Sequence, residues 1–139
     1  MSSWESQCLK IVNSLSSNKI SEEFLVSVEE KYPEIKNEYR SKVSKPMDLS
    51  TIKKKLEKKE YTNIDSFIAD MNLIWNNCIA FNGKTISVSI CAMILKEEFE
   101  KHIKTLKSNA QEAWLYSSIC EAKKIFNTAS CLVASLSQK

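Results

Sequence analysis

The sequence predicts an all-α protein, and three observations lead to this prediction. The chain has one glycine and two prolines in 139 residues, so few residues interrupt a helix. Apolar residues recur in steps of three and four along most of the chain, which is the spacing of a buried helical face. Residues suited to helix starts, such as Asp48, stand directly before these runs. The length fits one domain whose core needs neither a disulfide nor a metal.

Composition narrows the functional classes. The formal net charge of +3 is mild, so no specific nucleic-acid partner is predicted. The five cysteines form no CxxC pair and stand beside a single histidine, which predicts no metal site and a reducing compartment. No apolar stretch reaches the roughly 18 residues of a membrane span or follows a basic N-terminus. Phosphate loops and nucleophile elbows are absent from the sequence, so we expect no enzyme and no cofactor.

The first helix is predicted from the capping-box spacing of Ser2 and Glu5. Its apolar residues are Trp4, Cys8, Ile11 and Leu15. Residues 18–47 then have no sustained period, and Pro33 and Pro46 prevent one long helix there. This segment is too apolar for a disordered linker, with Phe24, Val26, Val28, Tyr32, Ile35, Tyr39 and Val43. Two interpretations stay open on these residues alone: a loop pinned over the bundle, or a loop that lines a ligand cleft.

A second helix is predicted after Asp48, with its inward face formed by Leu49, Ile52 and Leu56. The outer face carries Lys53, Lys54, Lys55, Lys58 and Lys59. Glu57 and Glu60 interrupt these lysines, so a solvated face is favoured over a nuclear-import signal or a DNA contact.

The third helix is predicted over residues 64–81, with a cap at Thr62 or Asn63. Its buried stripe is Phe67, Met71, Ile74, Cys78 and Phe81. Gly83, the only glycine, is a suitable residue to end the helix because it reaches positive φ without a Cβ clash. The carboxamide of Asn82 is therefore expected at the mouth of the bundle, where it offers two donors and one acceptor without a charge.

A fourth helix is predicted after Thr85. Its apolar residues are Ile86, Val88, Ile90, Met93, Ile94, Phe99, Ile103 and Leu106. His102 lies among charged residues and is interpreted as a surface residue, because no acid or nucleophile is placed beside it by the sequence.

Residues 108–139 are predicted to form a separate amphipathic helix that begins at Asn109, with Glu112 at capping-box spacing. Its seam is Leu115, Ile119, Ala122, Phe126, Ala129, Val133 and Leu136. Packing on or beside the bundle is the favoured interpretation. The alternative is a surface for self-association or for a partner protein.

Two motifs resemble those of the bromodomain family: Phe81-Asn82-Gly83 and the run from Pro46 to Leu56. The resemblance covers roughly residues 3 to 107, so we expect a bromodomain over 1–107 and a helical extension over 108–139. It implies a left-handed four-helix bundle with a long loop between the first two helices. It also implies binding of acetylated lysine, whose charge is replaced by a neutral amide with a carbonyl acceptor.

By position in the family motifs, the resemblance assigns roles in the acetyl-lysine pocket. Asn82 would donate its side-chain N–H to the acetyl carbonyl, and Tyr39 matches the tyrosine that holds a bridging water. Phe24 matches the floor of the pocket, Val28 a wall and Val88 the entrance. Phe81 and Cys78 complete the predicted acetyl-lysine-binding set.

Some positions depart from the family pattern. Many relatives have Trp-Pro-Phe where this chain has Glu22-Glu23-Phe24. The aromatic shelf outside the pocket is then replaced by two carboxylates, which are expected to steer basic tails. Ser27 replaces a common proline, and Arg40 replaces a frequent tyrosine.

The resemblance implies a non-enzymatic reader of acetylated lysine that acts on histone tails in the nucleus. A second interpretation is a protein-interaction or scaffold module that keeps the fold but has a weak or lost acetyl-lysine site. An enzyme whose apparatus is not visible in the sequence is a third.

Truncation after Lys107 tests the favoured interpretation of the C-terminal segment. Burial of a large apolar side chain contributes roughly 1.5–3 kcal/mol, so a docked seam makes a large share of the stability of a domain. We expect truncation to lower Tm markedly in a monomer while acetyl-peptide affinity changes little. An unchanged Tm, or a dimer that becomes monomeric on truncation, would assign the segment to a partner.

Overall fold

The computed structural model describes the backbone of residues 3–137 and the side-chain environments of residues 4–112, 114, 115 and 118–123. Within the described backbone there are helices and turns and no strand, which confirms the predicted all-α class. The α-helices are α1 (Ser3–Ser16), α2 (Val28–Lys31), α3 (Lys36–Lys42), α4 (Leu49–Glu57), α5 (Ile64–Asn82) and α6 (Ser87–Ser137). Two short 3₁₀ helices span Lys19–Phe24 and Pro33–Ile35.

The starts of α4 and α5 are set by side-chain caps. Asp48 is extended and accepts a hydrogen bond from the Thr51 backbone N–H at 2.9 Å. Asn63 does the same for the N–H of Ser66, also at 2.9 Å. Each cap satisfies one of the donors that an α-helix leaves free in its first turn. The predictions at Asp48 and Asn63 are confirmed, whereas the predicted cap Ser2 lies outside the described residues.

The segment between α1 and α4 is the predicted long connection, but it is built from four short helical pieces. None exceeds seven residues, which explains why no helical period extends across the sequence. Buried Ser21 donates to the carbonyl of Leu15 at 2.5 Å, and the N–H of Ser50 donates to the carbonyl of Leu25 at 3.0 Å. Asn77 on α5 donates to the carbonyl of Lys45 at 2.8 Å. The connection is therefore held to the helices by two of its backbone carbonyls and by the Ser21 side chain.

The core is organised around α5. Four members of its predicted stripe are buried, namely Phe67, Met71, Ile74 and Cys78, and Phe81 is half-buried at the end. The ring of Phe67 meets the ring edges of Tyr61 and Phe99, each at 5.9 Å between centroids. Trp75, which is fully buried, packs against Phe24 of the connection at 5.7 Å. Helix α5 thereby joins α4, α6 and the connection in one core.

A buried carboxylate links α4, α5 and the connection. Asp70 is 3% exposed. Its Oδ2 accepts hydrogen bonds from Lys55 Nζ at 2.6 Å and from the Tyr61 hydroxyl at 2.7 Å, and Lys45 Nζ lies 3.5 Å from Oδ1. Burial alone raises the pKa of Asp70, but these hydrogen bonds and the lysine charges outweigh it and hold the pKa below its usual range. The Lys55 side chain therefore does not belong to the solvated face predicted for it. The other lysines of that face are exposed, namely Lys53, Lys54, Lys58 and Lys59.

Helix α6 corrects one prediction. It runs without a break from Ser87 to Ser137, so the helix start predicted at Asn109 is wrong. No glycine or proline occurs after Gly83. A serine or asparagine inside a helix costs only a fraction of a kcal/mol, roughly 0.7 or less relative to alanine. Capping residues alone do not end a helix when the chain on both sides favours one.

The chain divides into two compact units, Met1–His102 and Ile103–Lys139. In the second unit the described apolar residues Trp114, Leu115 and Ile119 are exposed, by 71%, 53% and 46%. The seam residues from Phe126 onward lie outside the described side chains. Docking of the C-terminal segment therefore stays a prediction. Among the described helices, none combines the length and the apolar character needed to cross a membrane.

The Asp70 network gives a test of stability. Asp70→Asn should lower the free energy of unfolding by about 1.5–3 kcal/mol, which is typical of hydrogen bonds to a charged group. Because the folded-state pKa is lowered, this contribution is fully present above the usual aspartate value of about 3.9. It is lost as the pH falls through the folded-state pKa.

Urea denaturation at pH 7 and at successively lower pH checks this expectation. Asp65→Asn, at an exposed position on the same helix, is the matched control and should cost less at pH 7. Equal losses in the two variants, or a loss in Asp70→Asn that does not shrink in acid, would contradict the assigned role of the buried carboxylate.

Candidate functional site

A cavity of about 470 Å³ opens beside the C-terminal end of α5. The connection between α1 and α4 supplies eight of its lining residues, α5 supplies four and the start of α6 supplies three. Its lining residues are Glu23, Phe24, Val26, Val28, Tyr32, Ile35, Tyr39, Met47, Ile74, Cys78, Phe81, Asn82, Ser87, Val88 and Cys91. All seven residues predicted for a binding pocket are in this set, so the structure brings them together. Their roles toward a ligand stay a prediction.

Asn82 is the last residue of α5 and is half-buried. Its Nδ2 donates to the carbonyl oxygen of Cys78, one turn back, at 3.1 Å and lies 3.7 Å from the Sγ of the same residue. A carboxamide carries two N–H donors and an accepting oxygen. Both of these contacts go to Cys78, and the one to Sγ is the weaker because sulfur is a poor acceptor. A ligand carbonyl can therefore take the N–H that contacts Sγ, and Oδ1 can accept a hydrogen bond.

Gly83 fixes where this amide sits. Its φ of 80° lies in the region that residues with a Cβ rarely adopt, and its N–H donates to the carbonyl of Ile79 at 2.8 Å. A Cβ at this position would meet no atom within 4 Å. Glycine is therefore required by the backbone angle and not by lack of space, as the sequence predicted.

Tyr39 supplies a neutral hydroxyl to the cavity. The residue is buried, and its ring edge meets the ring of Phe81 with centroids 5.0 Å apart. Burial raises the pKa of Tyr39 to about 12, with smaller contributions from Cys78, Glu29 and Asp48. The hydroxyl thus stays protonated at neutral pH and can both donate and accept.

The rest of the inner surface is largely apolar. Phe24 is 6% exposed and is held in place by Trp75 behind it. Val28 belongs to the connection and Val88 to the first turn of α6, and both are half-buried. Burial raises the pKa of the Cys78 thiol above its ordinary value despite nearby hydrogen-bond partners, so this thiol is neutral. An apolar stem is well accommodated by such walls.

One acidic residue belongs to the lining. Glu23 accepts a hydrogen bond from Lys31 Nζ at 3.0 Å through Oε1 and from the Tyr32 hydroxyl at 2.8 Å through Oε2. Burial raises the pKa of Glu23, but hydrogen bonds from Tyr32 and Lys31 and the lysine charge lower it below its usual range. The carboxylate is therefore ionised at neutral pH. Of the two glutamates expected at the rim, Glu22 is exposed and does not line the cavity.

Sequence reasoning missed part of the lining. Ser87 and Cys91 belong to the first turns of α6. Nothing in the sequence there distinguishes a residue that lines a cavity from one on the outer surface of a helix. Glu23 was recognised as a rim carboxylate, but its partners Lys31 and Tyr32 were not. Tyr32 and Ile35 did carry a signal, because both belong to the apolar set of the long connection.

The arrangement suits a ligand group that is neutral, polar at its end and attached to an apolar stem. The amide of Asn82 and the hydroxyl of Tyr39 are polar groups that can bond to the end of such a ligand, and both are uncharged. A cation in the cavity would lose its water, and the one carboxylate of the lining, Glu23, already shares its charge with Lys31. The geometry thus supports binding and selection by charge.

The family model described as Bromodomain matches residues 8–93, which is more than half of the chain. The chain belongs to the bromodomain family. The match covers α4 and α5 and the connection that supplies Phe24 and Tyr39, so every residue that lines the cavity falls within the matched region. Bromodomains are binding modules that generally read acetylated lysine in chromatin proteins.

Relatives and a solved structure agree with this assignment. Over 106 residues the chain is 41% identical to the SWR1 complex bromodomain subunit bdf1 of Schizosaccharomyces pombe, which covers 76% of this chain and 18% of that protein. It is 40% identical over 65 residues to the transcription factor GTE1 of Arabidopsis thaliana, covering 47% and 17%. The human BAZ1A bromodomain structure matches with a TM-score of 0.66 at 27% identity, covering 73% of this chain and 92% of that one. The chain spans less than a fifth of these two curated relatives.

The positive φ of Gly83 gives a second test of stability. Gly83→Ala should lower the free energy of unfolding by about 1–3 kcal/mol, the usual cost of a non-glycine residue in such a backbone conformation. Chemical denaturation measures this loss. Lys84→Ala, at the next and exposed position, is the control and should be close to neutral. If Gly83→Ala is as stable as Lys84→Ala, residue 83 does not need a positive φ at the end of α5.

Proposed function

We propose that this bromodomain is a non-enzymatic reader of acetylated lysine, acting on histone tails in the nucleus. The observation that carries the proposal is the position of Asn82, a neutral amide that lines an apolar cavity and whose Nδ2 makes only a weak contact with sulfur besides its bond to the Cys78 carbonyl. The acetyl carbonyl accepts from that donor. The methylene stem of the lysine lies against walls such as Val28 and Val88, from which it displaces water.

Tyr39 takes a supporting part in this proposal. Its hydroxyl stays protonated because it is buried, so it can donate to a water that in turn donates to the same carbonyl. A bridging water of this kind lets one ligand oxygen be held by two residues of the protein. The hydroxyl positions the ligand and requires no proton transfer.

Selection against unmodified lysine follows from the same surface. An ammonium group in the cavity would lose its water, and the neutral amide of Asn82 and hydroxyl of Tyr39 would supply no negative charge to compensate for that loss. Acetylation removes the charge and supplies the acceptor in one step. We therefore expect discrimination between the two forms to come mainly from desolvation of the cation.

The names of the relatives support the chromatin context. They describe a subunit of the SWR1 complex and a transcription factor, and further relatives are nucleosome-remodeling factor subunits. From these names we infer acetylated histone or other acetylated protein tails as partners and the nucleus as location. Contact with other subunits of such a complex through the C-terminal segment is part of the same proposal.

A second candidate function is an interaction module in which the acetyl-lysine site is weak or lost. One observation favours it: Asn82 Nδ2 already donates to the Cys78 carbonyl and contacts the Cys78 Sγ, so a ligand has to compete for its N–H groups. The loss of the aromatic shelf at Glu22 and Glu23 points the same way. Under this candidate the fold serves contacts outside the cavity.

Asn82→Ala separates the two candidates. In the reader, removal of the donor leaves the acetyl carbonyl buried without a partner, which costs about 1–3 kcal/mol and weakens binding roughly 5- to 150-fold. Calorimetric titration with acetylated and unmodified histone-tail peptides measures the change, and thermal melts check that the fold survives.

The matched control is Asn76→Ala, an exposed asparagine on the same helix that does not line the cavity. It should bind acetylated peptides as the wild type does. Equal affinity of the wild type and Asn82→Ala would exclude the proposed reader mechanism. Absence of acetyl-dependent binding in a folded wild-type domain would favour the interaction module.

A further inference from the structure

We propose that Glu23 reads the charge of a second residue in the bound peptide, so that this bromodomain prefers acetylated lysines with an unmodified lysine or arginine nearby. The inference rests on the proposed function, because it concerns the part of the peptide outside the cavity. It assigns a subsite for a cationic side chain to the rim of the same cavity.

The first step is the composition of the lining. Glu23 is the only aspartate, glutamate, lysine or arginine among the residues that line the cavity. A peptide that inserts one side chain must carry its main chain across the rim, so its neighbouring side chains meet whatever charge the rim holds. At the lining itself that charge is negative.

The second step is that the carboxylate is held in place and is still reachable. Lys31 holds Oε1 at 3.0 Å and the Tyr32 hydroxyl holds Oε2 at 2.8 Å. Each carboxylate oxygen can accept a second hydrogen bond. The Glu23 side chain is 40% exposed, which leaves room for a donor from solvent or from a peptide. A group fixed before binding loses little conformational entropy when a ligand contacts it.

The third step concerns the charge of Lys31, which could cancel that of Glu23. Lys31 lies outside the lining, and the charge of Glu22 acts on it as well. Glu34, which is exposed, acts on Tyr32 in the same group. The group around Glu23 therefore holds three carboxylates and one ammonium group, so its net charge is negative. The ammonium group of Lys42 lies near another part of the lining, 5.3 Å from the ring centroid of Phe81. A cationic neighbour in the peptide is attracted to it.

Acetylation of that neighbour removes its charge and with it the attraction. The domain then distinguishes a singly acetylated tail from one in which adjacent lysines are both acetylated. Exposed ion pairs are weak, so the preference should be modest, roughly two- to fivefold in Kd. It should shrink with salt, because charges at a surface are screened over about 10 Å at 0.1 M ionic strength.

The test uses one family of peptides and three proteins. Each peptide carries one acetyl-lysine and, at a position one to four residues away on either side, a lysine, an acetyl-lysine or an alanine. The proteins are the wild type, Glu23→Gln and Glu22→Gln. Glutamine keeps the size and an accepting oxygen at either site, and Glu22→Gln makes the same charge change outside the cavity lining. Calorimetric titration at 50 and 200 mM salt gives each Kd.

For at least one position we expect the wild type to bind the lysine peptide about two- to fivefold more tightly than the acetyl-lysine and alanine peptides. This ratio should fall to about one in Glu23→Gln and at high salt, and most of it should remain in Glu22→Gln. Thermal melts of the variants check that the fold is kept.

Two results would overturn the inference while the reader function stands. One is an equal ratio in the wild type and Glu23→Gln at every position, and the other is an equal loss in Glu22→Gln, which would mean that net charge acts without a subsite. A wild type that binds no acetylated peptide would instead refute the proposed function, and the inference with it.

Discussion

Burial of α5 is the constraint on which the rest of the structure depends. Its side chains face α4, α6 and the long connection at once, and Trp75 and Phe67 are buried completely. A helix enclosed on several sides cannot shift without breaking several contacts, because protein interiors are packed as densely as crystals. The end of such a helix is therefore a fixed point. Asn82 lies at that end, so the packing of the core determines the position of its amide.

The long connection owes its shape to polar contacts that the core makes with its backbone. The carbonyls of Leu25 and Lys45 each accept a hydrogen bond from a residue on or next to a bundle helix. Asp70 adds a buried charge that Lys45 and Lys55 approach from different segments. A buried carboxylate without these partners would be strongly unfavourable, so the network fixes one arrangement of the segments. The wall that carries Tyr39 and Val28 is positioned by these contacts as well as by its own apolar residues.

The sequence alone was sufficient to predict the features that depend on residues close together in the chain. The caps at Asp48 and Asn63, the stripe of α5 and the role of Gly83 are local, and the family motifs placed seven residues that the structure brings to one cavity. Features that depend on distant residues were missed. Lys55 belonged by pattern to a solvated face, yet it reaches Asp70, fifteen residues further along the chain. The start predicted at Asn109 followed a local rule too, but the helical preference of the chain on both sides outweighed it. Periodicity records which face is apolar and says little about which polar side chains meet.

Under the proposed function, the distribution of charge would give the cavity two different kinds of selectivity. Inside, the neutral amide of Asn82 and the neutral hydroxyl of Tyr39 reject a cation, because its desolvation is not compensated. At the rim, Glu23 attracts a cation that keeps part of its water, and such an interaction is individually weak. Binding through one amide and a small apolar surface gives modest affinity. A change of a few-fold in Kd at the rim therefore changes which peptides occupy the domain at a given concentration. The aromatic shelf of many relatives would add apolar contact of low specificity at this place. Its replacement by carboxylates exchanges that contact for sensitivity to the charge state of the neighbouring residue.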